Sequence, residues 1–436
     1  VHTLRLDYNL DGLRLTYSSL GTEIMDSGRE SYQYTPSRRH VSRHVTLDDG
    51  NTHCTQLYIG KHRCADPHSA FDQALLRKLD RQVPDESVSV IRGADLFCGC
   101  GGLSLGMREG CLAIGRRFES VLALDNASSI LEVYDANFGP KQAYASDIWN
   151  ILDGQASARL TPNEKALLKS LDEIDILLAG PPCQGHSDLN NYTRRRDKRN
   201  RLYGRVGRFA EITQPKYILV ENVPTIVHSK DSALEDSIDL LVRCGYEVDT
   251  DVVDLSELGV PQRRKRHVLV ASRNGRVSIE SVVTKHRVSQ ARDVKWAIGD
   301  LEGERANGIF TQASRHNETN LRRIDYLFEN GLYDLPNELR PPCHQDGRHS
   351  YKSMYGRLRY DEPAQTVTSG YGSPGQGRFV HPTQRRTLTP HEAARLQFLP
   401  DFFDFSSAKR RTILADMIGN AVPMKLSYVF CLEFFA

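Results

Sequence analysis

The chain has 436 residues, of which 39% are hydrophobic and 26% charged, with a net charge of +2. That composition belongs to a globular protein of two or three domains and excludes a low-complexity or disordered chain. No apolar run approaches the roughly 18 residues of a membrane span, and nine irregularly spaced cysteines exclude a secreted disulfide scaffold.

No segment has the apolar core of a secretion signal, so an intracellular location is expected: cytoplasm or nucleoid, or the nucleus in a eukaryote. Along residues 1–90, "LRLTY", "RHVTL" and "CTQLYIG" read as short β-prone runs, followed by the helix-like "SAFDQALLRKLDRQ". His53, Cys54, His62, Cys64 and His68 cluster there, but without a C-x-x-C pair. A β-hairpin with incidental His and Cys is expected, and no metal.

From Ala94 the pattern changes to strand, glycine-rich turn and helix in "GADLFCGCGGLSLGMREG". Next come a strand ending in Asp125, a helix, "AYASDI", and "TPNEKALLKSLDE", where Thr161 and Glu164 have capping-box spacing. The strands "DILLAG", "KYILVEN", "EVDTDVVD" and "HVLVAS" follow, with a helix at "SALEDSIDLLVRCG". Apolar strands alternating with amphipathic helices predict an α/β fold with a parallel sheet covered on both faces. The alternation stops near residue 275, and 275–384 reads as a looser domain. A helix returns at "TPHEAARLQFL", and "ILADMIGNAVPMKLSYVFCLEFF" reads as a turn and an apolar helix.

Four places carry chemistry. Gly99, Gly101 and Gly102 allow close approach of a ligand where a strand enters a helix, and Asp125 ends the next strand, where it can accept from ribose hydroxyls. The pair suggests an adenosine-containing cofactor. The glycine spacing differs from G-x-G-x-x-G, which weakens a nicotinamide reading and leaves S-adenosylmethionine open. Cys183 follows Pro181-Pro182 at a strand end, beside a stretch from Thr193 to Arg208 in which eight of sixteen residues are basic. It reads as a nucleophile or as a structural thiol, the latter being the default for Cys111, Cys244 and Cys431. Glu221 and Asn222 end another strand, as a paired strand end or as a carboxyl group for proton transfer. Arg263 to Arg266 read as solvated charge or, with Arg264 and Arg266 on one face, as part of a basic groove for phosphates. "MIGNAVP", from spacing alone, is a turn.

Taken in order, "DLFCGCGG", "GPPCQG", "ENV", "QRRKR", "RTLTPHEAARLQ" and "GNAVP" closely resemble the DNA (cytosine-5) methyltransferase family of bacterial type, over roughly residues 93–436. The resemblance implies an α/β, Rossmann-like, doubly wound sheet typical of S-adenosylmethionine-dependent methyltransferases. It divides the chain into an N-terminal β-rich extension (1–90), a catalytic and cofactor-binding domain (91–274), a target-recognition domain (275–384) and a returning C-terminal segment (385–436). It implies that Cys183 attacks C6 of a cytosine flipped from duplex DNA, that Glu221 binds the N3 and N4 edge, and that Arg264 and Arg266 orient the base and nearby phosphates. S-adenosylmethionine is the implied cofactor, held by Phe97, Gly99, Gly101, Asp125, Asp147, Ile148, Pro182, Asn420 and Val422. Asn126 departs from the bulky residue that the family often has there, which implies adenine packing that is either weaker on that side or supplied from elsewhere. The implied DNA contacts are Ser187, Arg194, Arg195, Arg196, Tyr203 and Thr366, with Ser187 and Tyr203 available to fill the vacated stack.

The partners implied are duplex DNA and a cognate restriction endonuclease, with the enzyme acting as a monomer and no membrane involved. Two alternatives were weighed. A tRNA cytosine methyltransferase of the same family would have a reduced variable region and a "CFT" signature, which this sequence lacks. A non-catalytic DNA-binding relative usually loses the nucleophile or the "ENV" carboxylate, and both are present here. Residues 1–90 lie outside the resemblance and are expected to pack on the catalytic domain and extend its DNA surface.

Overall fold

The computed structural model describes residues 14–18, 22–26, 29–60, 66–182, 202–228, 232–345 and 353–436. The first layer is an antiparallel meander of β1 (Arg14–Ser18), β2 (Thr22–Asp26), β3 (Glu30–Thr35), β4 (His40–Thr46) and β5 (Thr52–Tyr58), paired in chain order. β2 and β3 are not evident in the sequence, where polar residues interrupt any alternation; in β3 Glu30 and Tyr32 are the buried ones. The helix α1 (Pro67–Leu76) starts where the Asp66 carboxylate accepts from the Ser69 amide at 3.0 Å, and it buries Phe71, Leu75 and Leu76.

The central layer follows as β6 (Val90–Leu96), α2 (Gly102–Ala113), β7 (Arg117–Asp125), α3 (Ser128–Phe138), β8 (Ala143–Ala145), α4 (Pro162–Ser170), β9 (Ile176–Ala179), α5 (Tyr203–Thr213), β10 (Tyr217–Asn222), α6 (Ala233–Arg243), β11 (Glu247–Asp254), β12 (Gln262–Arg263) and β13 (Lys265–Ser272). Among the described residues the main sheet has seven strands in the order β11-β13-β10-β9-β6-β7-β8. The expected parallel sheet needs correction, because β13 runs antiparallel to both β10 and β11. The cause is connection length. Only residues 255–264 join β11 to β13, fewer than the dozen or so that a parallel crossover requires. The capping box of α4 forms, with Thr161 Oγ1 accepting from Glu164 N and Glu164 Oε2 from Thr161 N, both at 3.1 Å.

The remaining elements are α7 (Ile279–Lys285), α8 (Val294–Ile298), α9 (Glu318–Glu329), β14 (Ala364–Gln365, paired with β12), α10 (Pro390–Leu396), α11 (Arg411–Asn420) and α12 (Lys425–Phe435). The change in sequence pattern near 275 is not a break in the core. Ile279, Val282 and Val283 of α7 join the apolar cluster of the sheet and α12. Val294 and Ile298 of α8, with Val367 and Phe379, share a cluster with α10 and α11. A separate small core forms between α9 and residues 335–380, from Ile324, Leu327, Leu335, Met354, Tyr355 and Val380.

The helix α12 packs on α2 through a stripe of glycines one turn apart. A Cβ on Gly102 would lie 2.1 Å from the Val422 carbonyl oxygen, one on Gly106 2.0 Å from that of Met424, and one on Gly110 2.5 Å from Cys431 Cβ. The absence of side chains there sets how close the two helices can come.

Candidate active site

Three strand ends meet at one edge of the sheet, since β9 lies between β6 and β10 and runs parallel to both. Each carries one of the sequence-marked segments. After β6 the chain turns through Phe97, Gly99 and Gly101, all with positive φ (56°, 54° and 96°). The turn is tied to β7, because Gly99 N donates to Asp125 Oδ2 at 3.1 Å while Asp125 Oδ1 accepts from Ala127 N at 3.0 Å. Burial raises the Asp125 carboxyl above its usual value, against those two backbone donors. Among the described residues no atom lies within 4 Å of where a Gly99 Cβ would stand, so none of them fills the space beside the turn.

Beneath the turn, Asp95 is 2% exposed. Its Oδ2 accepts from Ser104 Oγ at 2.7 Å, and that hydroxyl is 2.8 Å from Tyr134 OH. Its Oδ1 has no partner among the described residues. Burial pushes its carboxyl up to about 7, with the charge of Asp125 adding to the rise. In sequence Asp95 is only the first letter of "DLFCGCGG", and nothing local marks it as buried.

Asp147 is exposed and caps a short 3-10 turn by accepting from Trp149 N at 3.1 Å, whereas Ile148 is buried. Asn420 ends α11 exposed, so the expected turn begins only at Ala421; Val422 is buried against Gly102.

At the end of β9, Pro181 is buried and Pro182 partly so. Cys183, Ser187, Arg194, Arg195 and Arg196 lie outside the described residues. The turn leading to Cys183 is held from the neighbouring strand, where Asn222 Nδ2 donates to the Pro181 carbonyl at 3.3 Å. Asn222 was noticed in sequence only as a strand end. Beside it, Glu221 Oε1 meets Arg266 Nε at 2.6 Å, both side chains nearly buried.

The other cations behave differently from expectation. Arg264 is 2% exposed, and its guanidinium donates to the Val367 carbonyl (3.0 Å) and the Ala421 carbonyl (3.2 Å). It ties the "GNAVP" segment to the irregular segment that follows β14, a position inside the protein rather than at a phosphate. Gln262 and Gln397 continue that junction. Gln262 accepts from Val367 N at 2.9 Å and donates to Gln397 Oε1 at 2.6 Å, and Gln397 donates to the Ile418 carbonyl at 2.6 Å. Neither glutamine was singled out in sequence, where an amide gives no sign of burial. Thr366 Oγ1 donates to the Arg263 carbonyl at 2.8 Å, and Arg263 itself is exposed and pairs with Glu362.

The basic stretch departs from expectation in two ways. Residues from Tyr203 onward form α5 rather than a loop. Tyr203 is 2% exposed in the core under the sheet, so it does not present a ring to a nucleic-acid stack. Arg208 is 1% exposed and paired with Glu164 and Glu211, and Arg205 donates to the Leu152 and Gly154 carbonyls with its guanidinium 4.2 Å over the Trp149 ring.

A sequence model of the C-5 cytosine-specific DNA methylase family matches residues 91–433. The chain is similar to the Type II methyltransferase M1.BsuMI of Bacillus subtilis (strain 168), 47% identical and covering 84% of this chain and 85% of that one. It is also similar to the Type II methylase M.HgiDII of Herpetosiphon aurantiacus, 32% identical over 77% and 92% of the two chains. Among solved structures, the S. pombe Dnmt2 methyltransferase shares the fold, with a TM-score of 0.51 at 20% identity over 78% of this chain and 98% of that one. The family match runs from β6 to α12 and so takes in every strand of the central sheet: the chain belongs to the C-5 cytosine-specific DNA methylases and is a DNA cytosine-5 methyltransferase.

Proposed function

We propose that the chain flips a cytosine out of duplex DNA and methylates it at C5 through a covalent adduct on Cys183, as the modification partner of a restriction system. The observation that carries this reading is the adjacency of three strand ends, with the turn into Cys183 set between the glycine cradle of β6 and Glu221 of β10. S-adenosylmethionine, when bound, supplies a methyl group from its sulfonium. The residues fit it: among the described residues nothing fills the space over Gly99 and nothing partners the buried Asp95 Oδ1 below, and a carboxylate stands at the end of β7.

In this reading the Cys183 thiolate adds to C6 of the base, and the C5–C6 π electrons move toward C5. Glu221, oriented by Arg266 at 2.6 Å, holds the N3 and N4 edge and stabilises the charge that addition places on the ring. C5 takes the methyl group, a base removes the C5 proton, and expulsion of Cys183 restores the double bond and the thiolate. Asn222 holds the Pro181 carbonyl and so aims the turn. Phe97, Gly99, Gly101, Asp125, Asp147, Ile148, Pro182, Asn420 and Val422 are the proposed cofactor contacts. Ser187, Arg194, Arg195, Arg196 and Thr366 are the proposed DNA contacts, and Arg264 acts by fixing the "GNAVP" segment. The names of the two Type II relatives support the restriction partner.

The test uses duplex DNA carrying 5-fluorocytosine, which blocks loss of the C5 substituent. With S-adenosylmethionine present, a denaturant-resistant protein–DNA adduct is expected, absent in Cys183→Ser, and sequencing the trapped DNA gives the target site. An adduct with RNA instead of DNA would sink the duplex-DNA reading. Tight DNA binding without any adduct would sink the catalytic one.

A further inference from the structure

The N-terminal sheet lies outside the family match, yet it reaches α12 through buried charge. Lys425 Nζ, at the start of α12, is 2.9 Å from Asp72 Oδ1 of α1, with both side chains buried. One turn on, Tyr428 OH accepts from Arg43 Nη1 of β4 at 2.9 Å and donates to Glu30 of β3. Glu30 is also 2.9 Å from His286 Nδ1, just past α7. The opposite side of α12 faces α2, where Ser427 Oγ donates to the Leu103 carbonyl at 2.7 Å and the Val422 and Met424 carbonyls close on Gly102 and Gly106. The helix is thus clamped between the N-terminal sheet and the helix that springs from the glycine cradle.

We infer that this N-terminal clasp, through Asp72, Arg43, Glu30 and Tyr428, positions the Asn420–Val422 side of the cofactor site against the cradle. The inference rests on the cofactor contacts proposed above. Its physical basis is direction: buried ion pairs add little net stability over apolar packing of the same volume but fix one arrangement, and at Gly102 and Gly106 the tolerance for sliding is a fraction of an ångström.

The test compares Tyr428→Phe with Val41→Ala, a core change in the same sheet at a side chain that makes none of the clasp's hydrogen bonds. Both are measured for thermal midpoint, for S-adenosylmethionine dissociation constant by equilibrium dialysis, and for turnover at saturating cofactor. Tyr428→Phe is expected to weaken cofactor binding about ten-fold, the order of a lost hydrogen bond to a charged group, with saturated turnover little changed. Val41→Ala should lower the midpoint and leave the dissociation constant alone. The double variant Asp72→Asn/Lys425→Met removes both charges together, and it is expected to stay folded and also bind cofactor more weakly. Equal dissociation constants in Tyr428→Phe and wild type, or an equal loss in Val41→Ala, would overturn the clasp. Failure of the wild-type protein to bind S-adenosylmethionine would overturn the cofactor reading beneath it instead.

Discussion

Asp95 shows how one carboxyl can report on the site. Its folded pKa of about 7 lies above the ordinary 3.8 because burial penalises the charge. Folding therefore takes up a proton between those values, so this group's contribution to stability is full below about pH 4 and falls as pH rises towards 7. Asp95→Asn keeps an oxygen for the Ser104 hydroxyl and removes the charge. It is expected to flatten the pH dependence of the urea midpoint across that window and to raise stability above pH 7, by on the order of a few kcal/mol. An unchanged profile would mean that Asp95 is ionised at little cost. Arg264 and Arg208 teach a different lesson at this scale. In sequence both belonged to basic runs, and both turned out to be buried. What buries them is remote: Glu164 lies 44 residues from Arg208, and the two carbonyls that receive Arg264 lie 103 and 157 residues away. Charge runs identify surface only on average. No local pattern distinguishes the exception.

Among the elements, the α2–α12 pair is the most tightly specified. Gly106→Ala places a methyl group 2.0 Å from the Met424 carbonyl oxygen and 2.8 Å from Tyr428 N, and backbone on both sides cannot yield as a flexible side chain could. The expected result is a loss of more than about 3 kcal/mol of unfolding free energy, read by denaturant titration. An alanine tolerated within about 1 kcal/mol would show that the helices slide freely. The alternation of strands and helices was legible because each buried strand carries its own apolar run, and the Thr161–Glu164 box because it closes within four residues. Strand direction was less legible. The antiparallel β13 follows from a short connection, and that length becomes informative only once both strand ends are placed. The meander strands β2 and β3 were missed because their faces are mixed and partly polar. Gly99 and Gly101 lie in the expected turn, whereas Gly102, read with them as a place of ligand approach, starts α2 and meets the Val422 carbonyl; its helix spacing with Gly106 and Gly110 went unremarked.

Across the whole molecule, the N-terminal sheet and the family-matched part share their cores. Val45 of β4 sits in the cluster of the central sheet and α12, and Leu75 and Leu76 of α1 in that of α8, α10 and α11. Removing residues 1–76 would expose those faces and leave Lys425 buried without Asp72. The truncated chain is expected to be largely insoluble, or soluble only with fluctuating tertiary packing, as near-ultraviolet circular dichroism would show. A well-folded, cooperatively melting truncation would mean that the shared core is dispensable. The sequence placed this region as an extension packed on the catalytic domain, and the packing was foreseeable. The partners were not, because they lie at the far end of the chain. That distance bears on the order of synthesis. Glu30 and Tyr428 are 398 residues apart, so the first is made long before the second. At about 5–20 residues per second, the sheet waits tens of seconds for the helix whose Tyr428 hydroxyl bridges its Arg43 and Glu30. Until α12 is made, Arg43 and Glu30 lack the hydroxyl that joins them and Asp72 lacks Lys425, so the N-terminal layer is locked only when the distant residues that face it have been added.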